Sequence, residues 1–266
     1  MSNPPRPAKP FVKWVGGKRS ILDTLVDRAP QSYQRYVEPF VGGGALFFRL
    51  QPAPALLADI NERLITTYQA LRDDVDQVIA LLTQHAAAHS ADYYYQARVE
   101  LSAATDPAQV AAWFIYLNKT CYNGLYRVNR RGGFNVPLGD YTDPPILDEP
   151  NLRAAATALQ GVELTHGAFD AVEPRTGDFC YLDPPYHQTY AGYSAAMFGE
   201  AEHVRLAAYC DRIDTAGGRF LLSNSDTPLV RELYATYTIE VVSAGRSVSR
   251  EASQRGRADE LLVRNY

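Results

Sequence analysis

Short β-type runs occur at both ends of this 266-residue chain, whereas its middle shows helical periodicity. Seven apolar runs predict β-strands: 37–40, 55–60, 162–166, 179–182, 219–223, 237–243 and 260–265. Helical patterns separate several of them, at 45–50, 201–215 and 228–236. Strands that alternate with helices predict an α/β sheet.

The middle of the chain has a different pattern. Apolar residues recur every three or four positions from Leu64 to Leu82, which predicts one long helix, and further helices are predicted over 92–101 and 107–118. A segment rich in Gly, Asn and Pro follows at 122–145 and predicts a loop with a hairpin. We therefore expect one α/β domain made of residues 1–61 and 147–266, with a mainly helical domain, 62–146, inserted into it.

Composition excludes several classes of protein. Hydrophobic residues make up 46% of the chain, enough for a sizeable core, yet no apolar run approaches the roughly 20 residues that span a bilayer. The three cysteines form no C-x-x-C pair and the five histidines form no ligand pattern, so neither a disulfide framework nor a metal site is predicted. We expect a cytoplasmic protein that does not enter a membrane.

Basic residues are concentrated in two segments, although the formal net charge is −4. Residues 119–131 contain four basic side chains and no acid, and residues 246–257 contain four arginines and one glutamate. Either segment is suited to a polyanion such as nucleic acid, and either could equally be a solvated loop.

A glycine-rich turn follows the first predicted strand. Gly42, Gly43 and Gly44 are contiguous, so they lack the G-x-G-x-x-G spacing, and a purely structural turn is one interpretation. Asp59 ends the next strand. An acid at that position commonly binds ribose hydroxyls, and a glycine turn before a helix allows close approach of a ligand. The pair indicates a cofactor that contains adenosine.

A second Gly-Gly turn lies near the N-terminus. Gly17 and Lys18 are reminiscent of a phosphate-binding loop, but Val12 stands where that motif needs glycine and Arg19 where it needs Ser or Thr. Trp14 and Lys18 could instead contact a purine and a carboxylate. The alternative is the start of a capped helix with Trp14 in the core.

The strand at 179–182 stops at Asp183-Pro184-Pro185-Tyr186. Prolines fix φ and remove N–H donors, so the Asp183 carboxylate and the Pro184 carbonyl form two acceptors without a competing donor. Two acceptors suit a planar amino group, and Tyr186 offers a face on which a base can stack. The alternative is an Asx-type turn that ends a strand.

These motifs together resemble a family. The segments FVKWVGGKR, VEPFVGGGALF, ADIN and YLDPPY occur in the order found in Dam-type DNA adenine-N6 methyltransferases of the D12 class, the α group of amino methyltransferases. YLNKTCYNGLYRVNRRGGFNVPLG is similar to the DNA-recognition segment of that family, and LLSNSDT and ADELLVRNY also match. The resemblance extends from Phe11 to Tyr266. It implies a Rossmann-like, seven-stranded methyltransferase sheet with an inserted DNA-recognition domain.

The resemblance also implies residue roles, S-adenosylmethionine as cofactor and double-stranded DNA as partner. Positions that match the catalytic tetrad are Asp183, Pro184, Pro185 and Tyr186. Positions expected at the cofactor are Trp14, Lys18, Glu38, Phe40, Gly42, Gly44, Asp59, Ile60 and Asp183. Positions expected at DNA are Lys13, Tyr122, Asn123, Leu125, Arg127, Asn135 and Pro137, with Tyr122 wedged into the base stack.

We therefore expect a bacterial or phage enzyme, associated with the nucleoid and monomeric, that methylates adenine N6 in an extruded base. Relatives with this recognition segment mostly modify GATC, which predicts the same site here. Two alternatives stay open. One is methylation of another planar amine, such as cytosine N4, RNA adenine or a glutamine amide. The other is a non-catalytic DNA-binding module that kept the fold.

Overall fold

Seven strands form one mixed sheet in the computed structural model, which describes residues 7–18, 20–187, 198–245 and 257–266. The strands are β1 (Arg35–Glu38), β2 (Ala55–Asp59), β3 (Glu163–His166), β4 (Asp178–Leu182), β5 (Arg219–Ser225), β6 (Thr238–Gly245) and β7 (Arg257–Arg264). Their order across the sheet is β3-β2-β1-β4-β5-β7-β6. All seven predicted strands are present, and the predicted α/β seven-stranded fold class is confirmed.

The centre of the sheet is parallel. β1 pairs with β2 and β4, and β4 pairs with β5, in parallel register. β7 runs antiparallel to both of its neighbours, β5 and β6, with Glu260 opposite Ser225 and Val242. β7 therefore follows β6 in the chain but lies between β5 and β6 in the sheet.

The central strands are rich in apolar side chains and are buried. Every residue of β2 and β4 is buried, as expected for parallel strands that are covered on both faces. One core cluster combines strand residues such as Val37, Cys180 and Leu222 with Leu206 and Ile213. The strand ends are therefore fixed in place by this core.

The described residues contain nine α-helices. They are α1 (Leu22–Arg28), α2 (Ala45–Leu50), α3 (Glu62–Asp73), α4 (Val75–Ala87), α5 (Ala91–Ala103), α6 (Pro107–Thr120), α7 (Glu149–Ala158), α8 (Glu200–Thr215) and α9 (Pro228–Leu233). α6 is buried over most of its length and packs against α3, α4 and α5. None of the helices in the described ranges is long and apolar enough to cross a membrane.

The prediction of one long helix from Leu64 to Leu82 is wrong. α3 ends at Asp73 and α4 begins at Val75, because Asp74 has non-helical φ and ψ of −150° and 67°. The Asp74 side chain accepts a hydrogen bond from the Gln77 N–H and caps α4. The apolar spacing continues across this break and therefore does not reveal it.

Contacts divide the chain into two compact units. The first contains the residues up to Gly17, Gly42–Gln51 and Asp59–Gly167. The second contains Lys18–Val41, Pro52–Ala58 and the residues from Ala168 onward. The predicted site residues fall in both units, and we describe each group within its own unit.

Candidate active site

The tetrad lies in the second unit, at the carboxyl end of β4. Two donors reach the same oxygen of the Asp183 carboxylate: Lys18 Nζ lies 2.8 Å from Oδ1, and Ser223 Oγ donates to Oδ1 at 2.9 Å. The Lys18 side chain is 6% exposed and that of Asp183 is 21% exposed. A nearly buried ammonium thus balances the charge of a partly accessible carboxylate.

Tyr186 is held at its phenol end. Its hydroxyl donates a hydrogen bond to Glu260 Oε2 at 2.7 Å, and Lys18 Nζ lies 4.6 Å from the centroid of its ring. Burial, followed by the charges of Asp183 and Glu260, raises the pKa of Tyr186 well above its ordinary value of 10. The phenol therefore stays protonated and remains a donor.

The other predicted cofactor residues of this unit pack locally. Glu38 ends β1, is 2% exposed, and accepts a hydrogen bond from the Tyr36 hydroxyl at 2.7 Å. The Phe40 ring stacks on Phe169 with centroids 5.1 Å apart. Both side chains support the end of β1.

The glycine turn and Asp59 come together in the first unit. The Gly42 N–H donates to Asp59 Oδ2 at 3.0 Å, and the Asn61 N–H donates to Asp59 Oδ1 at 2.9 Å. Gly42 and Gly44 have φ of 46° and 65°, which only glycine adopts without strain. Asp59 is 8% exposed, and burial raises its pKa above the ordinary value of 3.8.

Trp14 covers this glycine turn. A Cβ on Gly42 would lie 2.6 Å from the indole Cδ1, so glycine is needed for the indole to lie this close. The indole stacks on Tyr126 and Phe114, with centroids 5.9 and 6.4 Å apart. Trp14 is half-buried in this stack, so it is not a core residue. It also lies outside the helices of the described residues, so it does not start one. Ile60, another predicted cofactor residue, is exposed.

These features of the first unit fit an adenosyl group. Asp59 accepts backbone hydrogen bonds from Gly42, Ile60 and Asn61, and a carboxylate has about four acceptor positions, so it could also accept from a ribose hydroxyl. Gly42 and Gly44 lack Cβ atoms, and the Trp14 indole and the Tyr68 hydroxyl lie close to where those atoms would be, so these side chains pack directly on the turn. The aromatic faces of Trp14 and Tyr126 add a surface suited to a flat ring.

The recognition segment forms a compact hairpin in the first unit. Val128 and Phe134 form an antiparallel bridge, as predicted, and the Tyr122 N–H donates to the Pro137 carbonyl at 2.9 Å. Tyr122 is 47% exposed, which leaves its ring accessible. Asn123 has a φ of 54°, within the tight turn that follows α6.

Arg127 and Asn135 lie side by side across the hairpin. The guanidinium donates from Nε to the Asn135 side-chain oxygen at 2.7 Å and from Nη2 to the Asn135 carbonyl at 2.9 Å. Arg127 and Pro137 are exposed and Leu125 is half-buried. The predicted DNA-binding residues are thus brought onto one hairpin.

Lys13 joins this hairpin through Asn118, a residue that sequence reasoning missed. The Asn118 side chain accepts from the Lys13 N–H at 2.7 Å and donates to the carbonyls of Lys13 and Gly124 at 2.8 and 3.1 Å. Lys13 Nζ also donates to the Tyr141 hydroxyl at 3.1 Å. An amide within the mostly apolar α6 is the sequence signal that could have identified Asn118, since a buried amide needs hydrogen-bond partners.

Tyr126 is a second residue that the sequence analysis did not name. It lies between Leu125 and Arg127, and alternate residues of an extended segment face opposite ways. Two neighbours predicted to face DNA therefore imply that Tyr126 faces inward. Of the second basic segment, 246–257, residues 246–256 lie outside the described residues.

Known proteins of similar sequence match nearly the whole chain. A family model described as "D12 class N6 adenine-specific DNA methyltransferase" matches residues 14–248. The chain is 36% identical over 271 residues to a type II methyltransferase, M1.LlaDCHI, of Lactococcus lactis subsp. cremoris, with 97% of this chain and 95% of that protein covered.

Two further relatives are similar over nearly the full chain. A type II methyltransferase of Methanocaldococcus jannaschii, M.MjaIII, is 36% identical over 286 residues, covering 97% of this chain and 99% of that protein. The DNA adenine methylase of Escherichia coli K12 is 34% identical over 262 residues, covering 95% and 94%.

Proposed function

Because the chain belongs to the D12 class of N6 adenine-specific DNA methyltransferases, we propose that it transfers a methyl group from S-adenosylmethionine to adenine N6 in duplex DNA at GATC. The observation that carries this proposal is the Asp183 carboxylate, held by Lys18 and Ser223 at the carboxyl end of β4 beside the ring of Tyr186. We also propose that the enzyme is a monomer. Because its partner would be duplex DNA, it would lie in the cytoplasm with the nucleoid.

Asp183 is assigned the role of orienting the target amine. The lone pair of an exocyclic amine is delocalised into the base, so the nitrogen is a weak nucleophile. An acceptor that holds an amine hydrogen favours a pyramidal nitrogen, and the Pro184 carbonyl is assigned the second hydrogen. Tyr186 is assigned stacking on the extruded base, and Pro185 keeps the turn rigid.

Cofactor binding is assigned to residues of the glycine turn and its surroundings. Asp59 would accept hydrogen bonds from the ribose, and Gly42 and Gly44 are assigned to the turn beside the cofactor. Trp14 and Ile60 are assigned to its adenine, and Lys18, Glu38 and Phe40 are further positions that the family resemblance assigns to the cofactor. When bound, S-adenosylmethionine supplies a methyl group that is electrophilic because of the sulfonium charge.

The cysteines support direct transfer to the amine. Cys121, Cys180 and Cys210 are buried, and burial raises the pKa of each thiol, that of Cys121 to about 12. A nucleophilic cysteine needs thiolate character and access, and these three have neither. The methyl group would therefore pass to N6 without a covalent enzyme intermediate.

Sequence reading is assigned to the hairpin. Arg127 has five N–H donors, of which two are used on Asn135, so donors are left for the O6 and N7 acceptors of guanine. Leu125 and Pro137 suit the thymine methyl group, and Tyr122 would fill the gap left by the extruded adenine. Lys13 and Asn123 are assigned further contacts to DNA. We retain residues 62–146 as the target-recognition domain and 1–61 with 147–266 as the catalytic domain.

A transfer assay tests the proposal. The protein is incubated with methyl-labelled S-adenosylmethionine and four substrates: a duplex with GATC, one with the same bases scrambled, one already methylated at both adenines, and an RNA of the same sequence. We expect label in the first duplex alone, with protection from methylation-sensitive cleavage. Equal label in the scrambled duplex would refute only GATC as the recognition site. Label in cytosine or RNA would favour another amine as the substrate. No label in any of the four substrates would refute the proposed methyltransferase activity.

A further inference from the structure

Glu260 lies on β7, and the family resemblance assigns it no role. We propose that Glu260 is a positioning residue that fixes the ring of Tyr186 in the orientation needed to stack on the target base. The inference rests on the proposed function, because it concerns the same base. Its starting observation is the 2.7 Å hydrogen bond from the Tyr186 hydroxyl to Glu260 Oε2.

β5 already holds residues on either side of Tyr186, through the Asp183 side chain on one side and the His187 backbone on the other. Ser223 Oγ donates to the Asp183 carboxylate at 2.9 Å on one side of Tyr186. On the other side, the His187 N–H donates to Asn224 Oδ1 at 3.2 Å, and Ser225 Oγ donates to the His187 carbonyl at 2.6 Å. The freedom that remains to Tyr186 is therefore mainly in its side-chain torsions.

Glu260 restrains those torsions at the far end of the ring. A tyrosine ring turns about two side-chain bonds, and a hydrogen bond at the hydroxyl limits both. The antiparallel register places Glu260 opposite Ser225, so the acceptor belongs to the strand next to the one that holds the backbone. β5 thus holds the backbone next to Tyr186, and the adjacent strand β7 holds the Tyr186 ring.

The chemistry of this bond suits an anchor. The phenol stays a donor because burial raises the pKa of Tyr186 well above 10. A carboxylate acceptor makes the bond charge-assisted, and such bonds are roughly twice as strong as neutral ones. Lys18 Nζ, 4.6 Å from the ring centroid, lies against the same ring. A ring fixed in this way needs no reorganisation when the base arrives, which preserves the geometry of attack.

A double-mutant cycle tests the inference on the full-length protein. The variants are Glu260→Ala, Tyr186→Phe and their combination, and the measurement is the single-turnover rate of methyl transfer to the GATC duplex. We expect each single change to lower the rate about tenfold, within the range expected for small misplacements. The combination should be no slower than Tyr186→Phe alone, because that change already removes the bond to Glu260. Effects that multiply would overturn the inference.

Base stacking gives a second readout. A duplex with 2-aminopurine at the target adenine gains fluorescence on extrusion and is quenched on stacking against an aromatic ring. With S-adenosylhomocysteine present, Glu260→Ala should leave the 2-aminopurine brighter than the unsubstituted protein does, and Tyr186→Phe should match it. Equal quenching in Glu260→Ala and the unsubstituted protein would refute the anchor.

Two control variants separate positioning from folding. Asp259→Ala changes an exposed acid next to Glu260 on the same strand and should keep the full rate. Glu260→Gln keeps an acceptor of the same size and should keep most of the rate; a loss as large as that of Glu260→Ala would contradict the anchor. Should Glu260→Ala fail to fold, as judged by thermal melting, Glu260→Leu replaces it in the cycle.

The assay also distinguishes the two proposals. If the unsubstituted protein labels no duplex, the proposed function fails and the anchor fails with it. If it labels the GATC duplex, but the rate effects of the double-mutant cycle multiply and the 2-aminopurine fluorescence is the same with Glu260→Ala, only the anchor fails.

Discussion

The two compact units hold their candidate functional carboxylates in different ways. Asp59 accepts hydrogen bonds from the backbone N–H groups of Gly42 and Asn61, whereas Asp183 is held by the side chains of Lys18 and Ser223. Most substitutions of Lys18 or Ser223 delete the donor, whereas a backbone N–H is lost only when proline replaces the residue. The glycine turn should therefore be sensitive to changes of shape and the tetrad to changes of functional group.

Deleting the Asp183 carboxylate should give the largest effect. We expect Asp183→Ala to lower kcat by about 10³-fold or more, since the carboxylate is proposed to act on the reacting amine, and to leave DNA binding measurable. Single-turnover transfer and a binding titration check both outcomes. Asp226→Ala is the matched control, because Asp226 is exposed and paired with Arg231 at 2.6 Å. Equal losses in the two variants would contradict a specific role for Asp183.

Changing the shape of the glycine turn should give the next largest effect. In Gly42→Ala the new Cβ would meet the Trp14 indole at 2.6 Å, and the φ of 46° is strained for alanine. Gly161→Ala is the matched control, with a φ of 74° but nothing within 4 Å of the new Cβ.

Backbone strain alone should cost each variant about 1–2 kcal/mol of unfolding free energy. Gly42→Ala should lose more, and it alone should bind S-adenosylhomocysteine less tightly. Urea unfolding and calorimetry measure the two quantities. Equal stability and equal affinity in the two variants would show that the contact with Trp14 is unimportant.

Arg127 is held by both a side chain and the backbone, since its guanidinium donates to the side-chain oxygen and to the backbone carbonyl of Asn135. Arg127→Ala should cost ~1–3 kcal/mol of discrimination at one base pair, measured from relative rates on duplexes with single substitutions in GATC. Arg131→Ala, in the same basic segment, should weaken all duplexes alike. If Arg127→Ala also weakens all duplexes alike, Arg127 contacts a phosphate.

The smallest effect near neutral pH concerns the protonation of Asp59. Because burial raises the pKa of Asp59 above 3.8, affinity for S-adenosylhomocysteine should fall as pH is lowered through that pKa, at a higher pH than an ordinary aspartate would require. The contribution of Asp59 to the unfolding free energy changes with pH in the opposite direction. A carboxyl with a raised folded pKa contributes less to the unfolding free energy as pH rises from 3.8 through that value. Calorimetry and urea unfolding against pH check both trends, and both should vanish in Asp59→Asn.

The strands and the tetrad could be predicted from the sequence because their signals are local. Apolar runs of four to eight residues with sharp ends mark buried strands, and two prolines after an acid allow few backbone conformations. The acid-glycine pair of Asp59 and Gly42 was also predictable, since carboxyl ends of parallel strands meet at one edge of a sheet.

The residues that were missed act through long-range pairing. Glu260 lies 74 positions from Tyr186, and Asn118 lies 105 positions from Lys13. No sequence spacing records such contacts. The break at Asp74 was missed for another reason, because the apolar pattern keeps its phase across a single capped residue.

The position of β7 has a consequence for the order in which the protein is made. β7 emerges from the ribosome after the other six strands, yet it must enter between β5 and β6. A nascent chain that ends before β7 contains Lys18, Asp183 and Ser223 but lacks Glu260. The hydrogen bond from the Tyr186 hydroxyl to Glu260 therefore forms only once the last strand has joined the sheet, so an incomplete chain has Tyr186 without this acceptor.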